Sequence, residues 1–143
     1  CMTLPTLNLP NVTSIGTYAF NNCQGLTTVN LPSATSIGTY SFQFCGVLTT
    51  VNLPSVTSIG TYAFGTCEAL TKVILRSGTV ATLSSTNAFI NTPIASGKGY
   101  IYVPRALVDS YKSATNWSTY QFRALEDYTV DGTITGALDE SKI

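Results

Sequence analysis

The sequence contains no histidine, and no charged side chain precedes Glu68. The lack of histidine excludes catalytic and metal sites that depend on an imidazole, including Ser/His and Cys/His nucleophiles. Seven Lys and Arg balance seven Asp and Glu, so the concentrated positive charge typical of proteins that bind nucleic acid or anionic membranes is missing. No apolar stretch approaches the ~18 residues of a membrane helix. These absences favour a binding surface over an enzyme, with no catalytic residue, cofactor or metal site expected.

An internal repeat organises the first half of the chain. Residues 9–30, 31–52 and 53–74 are identical at 13 of their 22 positions, and the chain opens part-way through an earlier copy. Such self-similarity is the mark of a repeat array in which each copy buries its apolar face against its neighbours. We therefore expect the chain to be the carboxy-terminal piece of a longer array.

Each copy follows L-x-x-V-x-L-P-x-x-T-S-I, which is close to the leucine-rich repeat pattern and predicts a short strand at T-V-N-L. Because strand side chains alternate between faces, Val29 and Leu31 are expected inside, and Thr28 and Asn30 in solvent. The Ile, Phe and Cys positions of the return limb are expected to fill the interior. The I-G pair predicts a turn in which glycine adopts a conformation that other residues resist.

After Leu75 the pattern changes. The Ala-Phe pair of the repeat recurs at Ala88, later along the chain than the regular period requires, which predicts an insertion in the last coil. Residues 101–104 are predicted to form the final strand and so to end a solenoid over residues 1–104. Residues 105–125 are predicted to cap the open core with two helices, the second containing Trp117, Tyr120 and Leu125. Residues 126–143 hold five acids and one lysine, and they are predicted to form a loosely held acidic tail or an attachment point.

The motif L-P-x-x-T-S-I-G-x-x-A-F-x-x-C-x-x-L-T-x-V resembles the BspA-like bacterial leucine-rich repeats, and Y-I-Y-V-P, A-L-V-D-S-Y-K and N-W resemble the end segment of such proteins. The resemblance covers about residues 1–125. It implies a leucine-rich repeat solenoid of the α/β class, mostly β, with short parallel strands, turns or short helical return limbs and a C-terminal helical cap. It also implies non-enzymatic attachment to host proteins or other cells, from the bacterial surface or after secretion. The alternative is an architectural spacer or a phage tail component.

The candidate partner-binding face is the solvent side of the predicted strands, and its partner is expected to be a protein or a glycan. Five strands ~4.8 Å apart and four residues deep give about 300 Å², well below the ~800 Å² per partner of a standard interface. Weak binding is therefore expected unless several copies act together. In the competing interpretation, Asn and Thr hydrogen-bond only to their own neighbours. The face comprises Thr6, Asn8, Thr28, Asn30, Thr50, Asn52, Lys72, Ile74 and Tyr102.

Two further ladders recur with the repeat. The outward tyrosines could grip a glycan or a protein, but stacking on one another to stiffen the array is favoured; they are Tyr18, Tyr40 and Tyr62. The cysteines are predicted to be buried, unpaired thiols, because parallel side chains on stacked coils do not suit the twist of a disulfide. A single file of thiols also does not make a tetrahedral metal site. These cysteines are Cys1, Cys23, Cys45 and Cys67.

Overall fold

Short parallel strands from successive repeats pair edge to edge in the computed structural model, which describes residues 3–143. Six strands form one sheet in the order β1-β3-β5-β7-β9-β10, and four form a second in the order β2-β4-β6-β8. In chain order they are β1 (Thr6–Asn8), β2 (Ser14–Ile15), β3 (Thr28–Asn30), β4 (Ser36–Ile37), β5 (Thr50–Leu53), β6 (Ser58–Ile59), β7 (Lys72–Leu75), β8 (Thr82–Leu83), β9 (Tyr100–Val103) and β10 (Phe122–Ala124).

The strand register reproduces the period of the sequence. Thr28 lies opposite Thr50 and Val29 opposite Val51, so residues one repeat apart become neighbours on adjacent strands. In β3 the central valine is buried and its two flanking residues are half-buried, as side-chain alternation requires. The leucine-rich repeat architecture with short parallel strands is confirmed.

The core lies between the two sheets and is lined by equivalent residues from successive coils. Phenylalanine rings stack through it, with centroids 5.4 Å apart between Phe42 and Phe64 and 5.5 Å apart between Phe64 and Phe89. The Phe64 amide donates to the carbonyl of Ala88 at 2.9 Å. The coil containing Ala88 therefore stays in register although it is longer than the regular repeat.

The end of the solenoid differs from the sequence prediction. Two helices occur near it, α1 (Pro93–Ser96) and α2 (Val108–Ser113), and Tyr111 of α2 packs into the core. Residues 101–104 do not end the sheet, because β10 pairs with β9 and places Phe122 opposite Ile101. The predicted second helix is instead a turn followed by β10 and a 3-10 turn, Leu125–Tyr128. A further strand satisfies the backbone groups that the edge of β9 would otherwise expose.

Residues 126–143 are folded against the sheet, so the prediction of a loosely held acidic tail is wrong; the alternative, an attachment point, stays a prediction. Thr129 and Leu138 form an antiparallel bridge, and the Val130 amide donates to the Ala137 carbonyl at 2.8 Å. The turn so formed lays half-buried apolar side chains on the outer side of β7, β9 and β10, namely Ile134, Leu138 and Ile143. The free energy gained by burying these apolar side chains therefore holds the segment on the sheet, although it also contains acidic residues.

The cysteine prediction holds only in part. Cys45 and Cys67 are free and buried, and their thiols donate to the carbonyls of Phe20 at 3.4 Å and Phe42 at 3.1 Å. The neighbouring Cys45 thiol and burial raise the pKa of Cys67. Cys23, by contrast, is disulfide-bonded. The ~4.8 Å between stacked strands lies within the Cα–Cα range of a disulfide, so stacking alone does not exclude the bond. Cys1 lies outside the described residues.

Candidate protein-binding face

The outer side of the six-stranded sheet begins with a polar part on β1, β3 and β5. The Asn30 side-chain amide donates to Asn8 Oδ1 at 3.4 Å, and that of Asn52 donates to Asn30 Oδ1 at 3.0 Å. The ladder ends there because the next register partner of Asn52 is Ile74. Asn52 Oδ1 is buried and has no hydrogen-bond donor within residues 3–143. The asparagines are therefore engaged with one another, and the parallel row of threonines is left to face solvent: Thr6, Thr28 and Thr50.

The sequence prediction placed Ile74 and Tyr102 on the open face, and the structure corrects this. Ile74 is fully buried and Tyr102 is 1% exposed, because the C-terminal residues 126–143 cover them. Arg76 fastens this cover by donating from Nη1 to the carbonyls of Ile134 and of Gly136, the latter at 2.9 Å. The apolar residues of the tail follow no strand or helix period, so only their scattered presence in the sequence hinted at the contact.

Next to the cover lies a cationic and aromatic centre that the sequence analysis missed. The guanidinium carbon of Arg123 lies 3.5 Å from the ring centroid of Tyr100 and 5.2 Å from that of Tyr128. Its Nη1 donates to the hydroxyl of Tyr102 at 3.3 Å, and burial raises the pKa of that hydroxyl. Lys72, half-buried, is the register partner of Tyr100 on β7. The centre is thus assembled from β7, β9, β10 and the 3-10 turn that follows.

The comparison with known families agrees with this architecture. The family model for the BspA type leucine rich repeat region matches residues 1–104 with six copies. The chain belongs to the BspA-type leucine-rich repeat family. A search of curated proteins finds no significant match. Leucine-rich repeat membership implies a protein-interaction module, and domains of this kind are generally non-enzymatic.

The tyrosine ladder of this BspA-type array is self-stacked. Tyr18 and Tyr40 have centroids 4.8 Å apart and planes within 6°, and Tyr40 and Tyr62 are 5.1 Å apart within 5°. Each ring therefore covers the face of its neighbour, so a sugar could stack only at an end of the ladder, of which Tyr18 is the more exposed at 56%. Contact between the ladder and a glycan stays a prediction, confined to the ends of the ladder.

Two other depressions occur on the BspA-type fold. One of about 340 Å³ is lined by Glu68, Asn91, Thr92, Pro93, Ser96 and Lys98. A second, of about 240 Å³ between the last coil and α2, is lined by Val80, Leu83, Ala114 and Trp117 with their neighbours, and it contains no ionisable side chain. Within residues 3–143, no three Cys, Asp or Glu side chains converge as metal ligands. The same residues contain no helix with the length and apolarity to cross a membrane. The sheet face remains the best-formed candidate site.

Proposed function

We propose that this chain is an adhesion module that binds proteins of a host or of other cells, displayed on a bacterial surface or secreted. Its membership of the BspA-type family supports this, since such repeats typically occur in bacterial surface proteins. The observation that carries the proposal is the arrangement of the sheet face. One row runs through Thr6, Thr28 and Thr50 to Lys72 and Tyr100 and stays at least partly exposed. The row beside it has members that bond to each other or lie under the tail.

The open row is suited to recognition because it is rigid before a partner arrives. Each threonine sits on a strand paired on both sides or at the sheet edge, so little backbone freedom is lost on binding. Hydroxyls at strand spacing can donate to and accept from a partner's main chain. The row is smaller than a standard interface, so useful affinity requires several copies to act together.

The experiment is a binding assay with the chain displayed in several copies, as a biotinylated protein on streptavidin, against immobilised extracellular-matrix proteins. We expect saturable binding to at least one of them. The change Thr28→Arg or Thr50→Arg should reduce binding at least tenfold by placing a bulky cation on the face. Thr17→Arg, at an exposed turn outside the six-stranded sheet, is the matched control and should bind as the parent does. Equal loss in the control, or no binding to any protein presented, contradicts the proposal.

The architectural alternative rests on a different observation, the continuity of the stacked ladders. Phe20, Phe42 and Phe64 stack at 5.4 Å per step, and a tyrosine ladder runs beside them. Such ladders link every coil to the next and stiffen the array. A folded chain that binds no protein in the multivalent assay would favour a spacer or a virion tail component.

A further inference from the structure

Three of the seven cationic side chains lie on one part of the sheet face, next to the acidic residues 126–143. β1, β3 and β5 carry no charged residue, whereas Lys72, Arg76 and Arg123 lie on or beside β7 and β10. The ion pairs found within residues 3–143 involve other cations, Arg105 with Asp127 and Lys142 with Asp139. This part of the face therefore has cations that no carboxylate of the described chain neutralises.

We infer that Lys72, Tyr100 and Arg123 form a subsite for a carboxylate side chain on an acidic segment of the protein partner. The inference rests on the proposed function, because it takes the sheet face to be the surface that meets the partner. It adds the chemistry of one contact, a carboxylate held between an ammonium and a guanidinium beside a tyrosine ring.

Lys72 and Arg123 lie on the two strands that flank Tyr100. Tyr100 is the register partner of Lys72, so their backbones lie ~4.8 Å apart on adjacent strands. The guanidinium of Arg123, from the strand on the other side of Tyr100, lies over that ring at 3.5 Å. We therefore expect a carboxylate bound at Tyr100 to have a cation on each flanking strand.

Arg123 is held in place without using up its hydrogen-bonding capacity. Tyr100 and Tyr128 contact the guanidinium through their rings, and one N–H donates to the Tyr102 hydroxyl. A guanidinium has five N–H donors in a rigid fork, so donors remain for a carboxylate. Because the side chain is already ordered, binding costs little rotamer entropy. All three tyrosines hold the Arg123 guanidinium near the surface. Because they are uncharged, they do not neutralise it as a carboxylate in a salt bridge would.

An acidic protein segment fits this site better than a polyanion does. The cationic area spans only β7 to β10 and adjoins a row of uncharged threonines that can bond to a peptide main chain. Five acids lie in residues 126–143, close to the same side, and would repel a continuous row of phosphates or sulfates. One or two carboxylates among neutral residues match this distribution of charge.

The test uses the full chain, labelled with ¹⁵N, and two soluble twelve-residue probes of serine, one with two Glu near its centre (the Glu peptide) and the other with two Gln at the same positions (the Gln peptide). We expect the Glu peptide to shift the amide signals of residues 72, 100 and 123, with an affinity that falls as salt rises. The Gln peptide should bind at least fivefold more weakly. Lys72 makes no side-chain hydrogen bond or ion pair within residues 3–143, so Lys72→Glu should fold normally and weaken Glu-peptide binding at least tenfold. Lys112→Glu, exposed on α2, is the matched control and should change it less than twofold.

Arg123→Lys separates charge from shape, since it keeps the positive charge and loses the planar fork. We expect it to weaken the Glu peptide about threefold to fivefold. Equal binding of both peptides, shifts that map elsewhere, or a Lys72→Glu variant that binds as the parent does would overturn the inference. Tighter binding of a sulfated oligosaccharide than of the Glu peptide at these residues would overturn it in favour of a glycan.

The two proposals fail in distinguishable ways. Matrix-protein binding that is lost in Thr50→Arg but retained in Lys72→Glu refutes the carboxylate subsite and supports the adhesion face. Glu-peptide binding at Lys72 by a chain that captures no matrix protein supports the subsite and refutes adhesion as proposed.

Discussion

Replacing the glycine of the repeated S-I-G-T-Y segment by alanine should have opposite effects in different copies. A Cβ at Gly38 would lie 2.5 Å from the Ile15 carbonyl oxygen and 2.7 Å from the carbonyl carbon of Gly16. At Gly60 it would lie 2.7 Å from the amide nitrogen of Thr39. At Gly16 no described atom lies within 4 Å of the added carbon. The local sequence is the same in all three copies, so intrinsic propensity cancels in the comparison.

The magnitude follows from those distances. Ordinary contacts begin at about 3.4 Å, so Gly38→Ala must separate two coils by nearly 1 Å, and the opposing atoms are backbone that cannot rotate away. Overpacking of this kind costs ~1–3 kcal/mol. At Gly60 the separation would also stretch the 2.8 Å hydrogen bond from its amide to the Ile37 carbonyl, adding ~1 kcal/mol. Alanine recovers ~0.4–1 kcal/mol by restricting the unfolded chain. We expect a net loss of about 1 kcal/mol for Gly38→Ala and about 2 kcal/mol for Gly60→Ala.

Gly16→Ala is the control, and it should leave the free energy of unfolding unchanged or raise it by ~0.5 kcal/mol. The measurement is urea unfolding followed by circular dichroism, supported by melting temperatures, with an expected drop of ~3 °C per kcal/mol for a chain of this size. Gly16→Ala as destabilising as Gly38→Ala would refute the reasoning, because a local turn requirement would then explain the glycine. A Gly38→Ala variant whose free energy of unfolding stays within about 0.5 kcal/mol of the parent's, the range of an ordinary surface substitution, would refute it equally.

Three further predictions concern other parts of the fold. The hydroxyl of Ser41 is buried and has no partner within residues 3–143, so Ser41→Ala should raise the free energy of unfolding by ~1 kcal/mol; Ser55→Ala, which removes a 2.7 Å hydrogen bond to the Pro32 carbonyl, should lower it, and a loss in both variants would contradict this. Leu138→Ala should cost ~1 kcal/mol and speed amide exchange in residues 128–139, whereas Val130→Ala, at a 66% exposed position, should do neither; equal effects would show that the C-terminal contact is weak. Burial raises the pKa of Tyr102, Tyr111 and Tyr120, so these tyrosines ionise less readily in the folded chain than in the unfolded chain. The free energy of unfolding should therefore be highest below about pH 10 and fall above it. A urea midpoint that stays constant from pH 9 to 11.5 would contradict this.

The regular coils were predictable from the sequence because their structure repeats what the sequence repeats. Thr28 faces Thr50 and Ile15 faces Ile37 for the same reason: residues one period apart occupy equivalent positions on successive parallel strands. Alternation then fixed which side each residue takes, so the threonines and asparagines of the candidate face lie where the pattern placed them.

The reason for the repeated glycine was not predictable. The sequence analysis expected glycine in a conformation that other residues resist, but the residues with positive φ are others, including Tyr40 at 59° and Phe44 at 64°. Gly38 is required instead by the close approach of the coil beneath it. The distance between neighbouring coils depends on how they stack, so it cannot be predicted from the sequence of one coil.

The candidate site was predictable in its polar half and not in its charged half. Tyr100, Arg123 and Tyr128 come from different segments with no shared period, so only the pairing of β9 with β10 brings them together. The burial of Ile74 likewise depends on the tail folding back over β7.

The sequence by itself thus determined the coil, its period and its polar surface, because identical residues at a fixed spacing have the same neighbours in every copy. Tertiary structure alone decided which strand ends the array, which segment covers part of the sheet face, and where cations without a carboxylate partner lie. Those contacts join segments that follow no repeat, so nothing in one segment specifies the position of another.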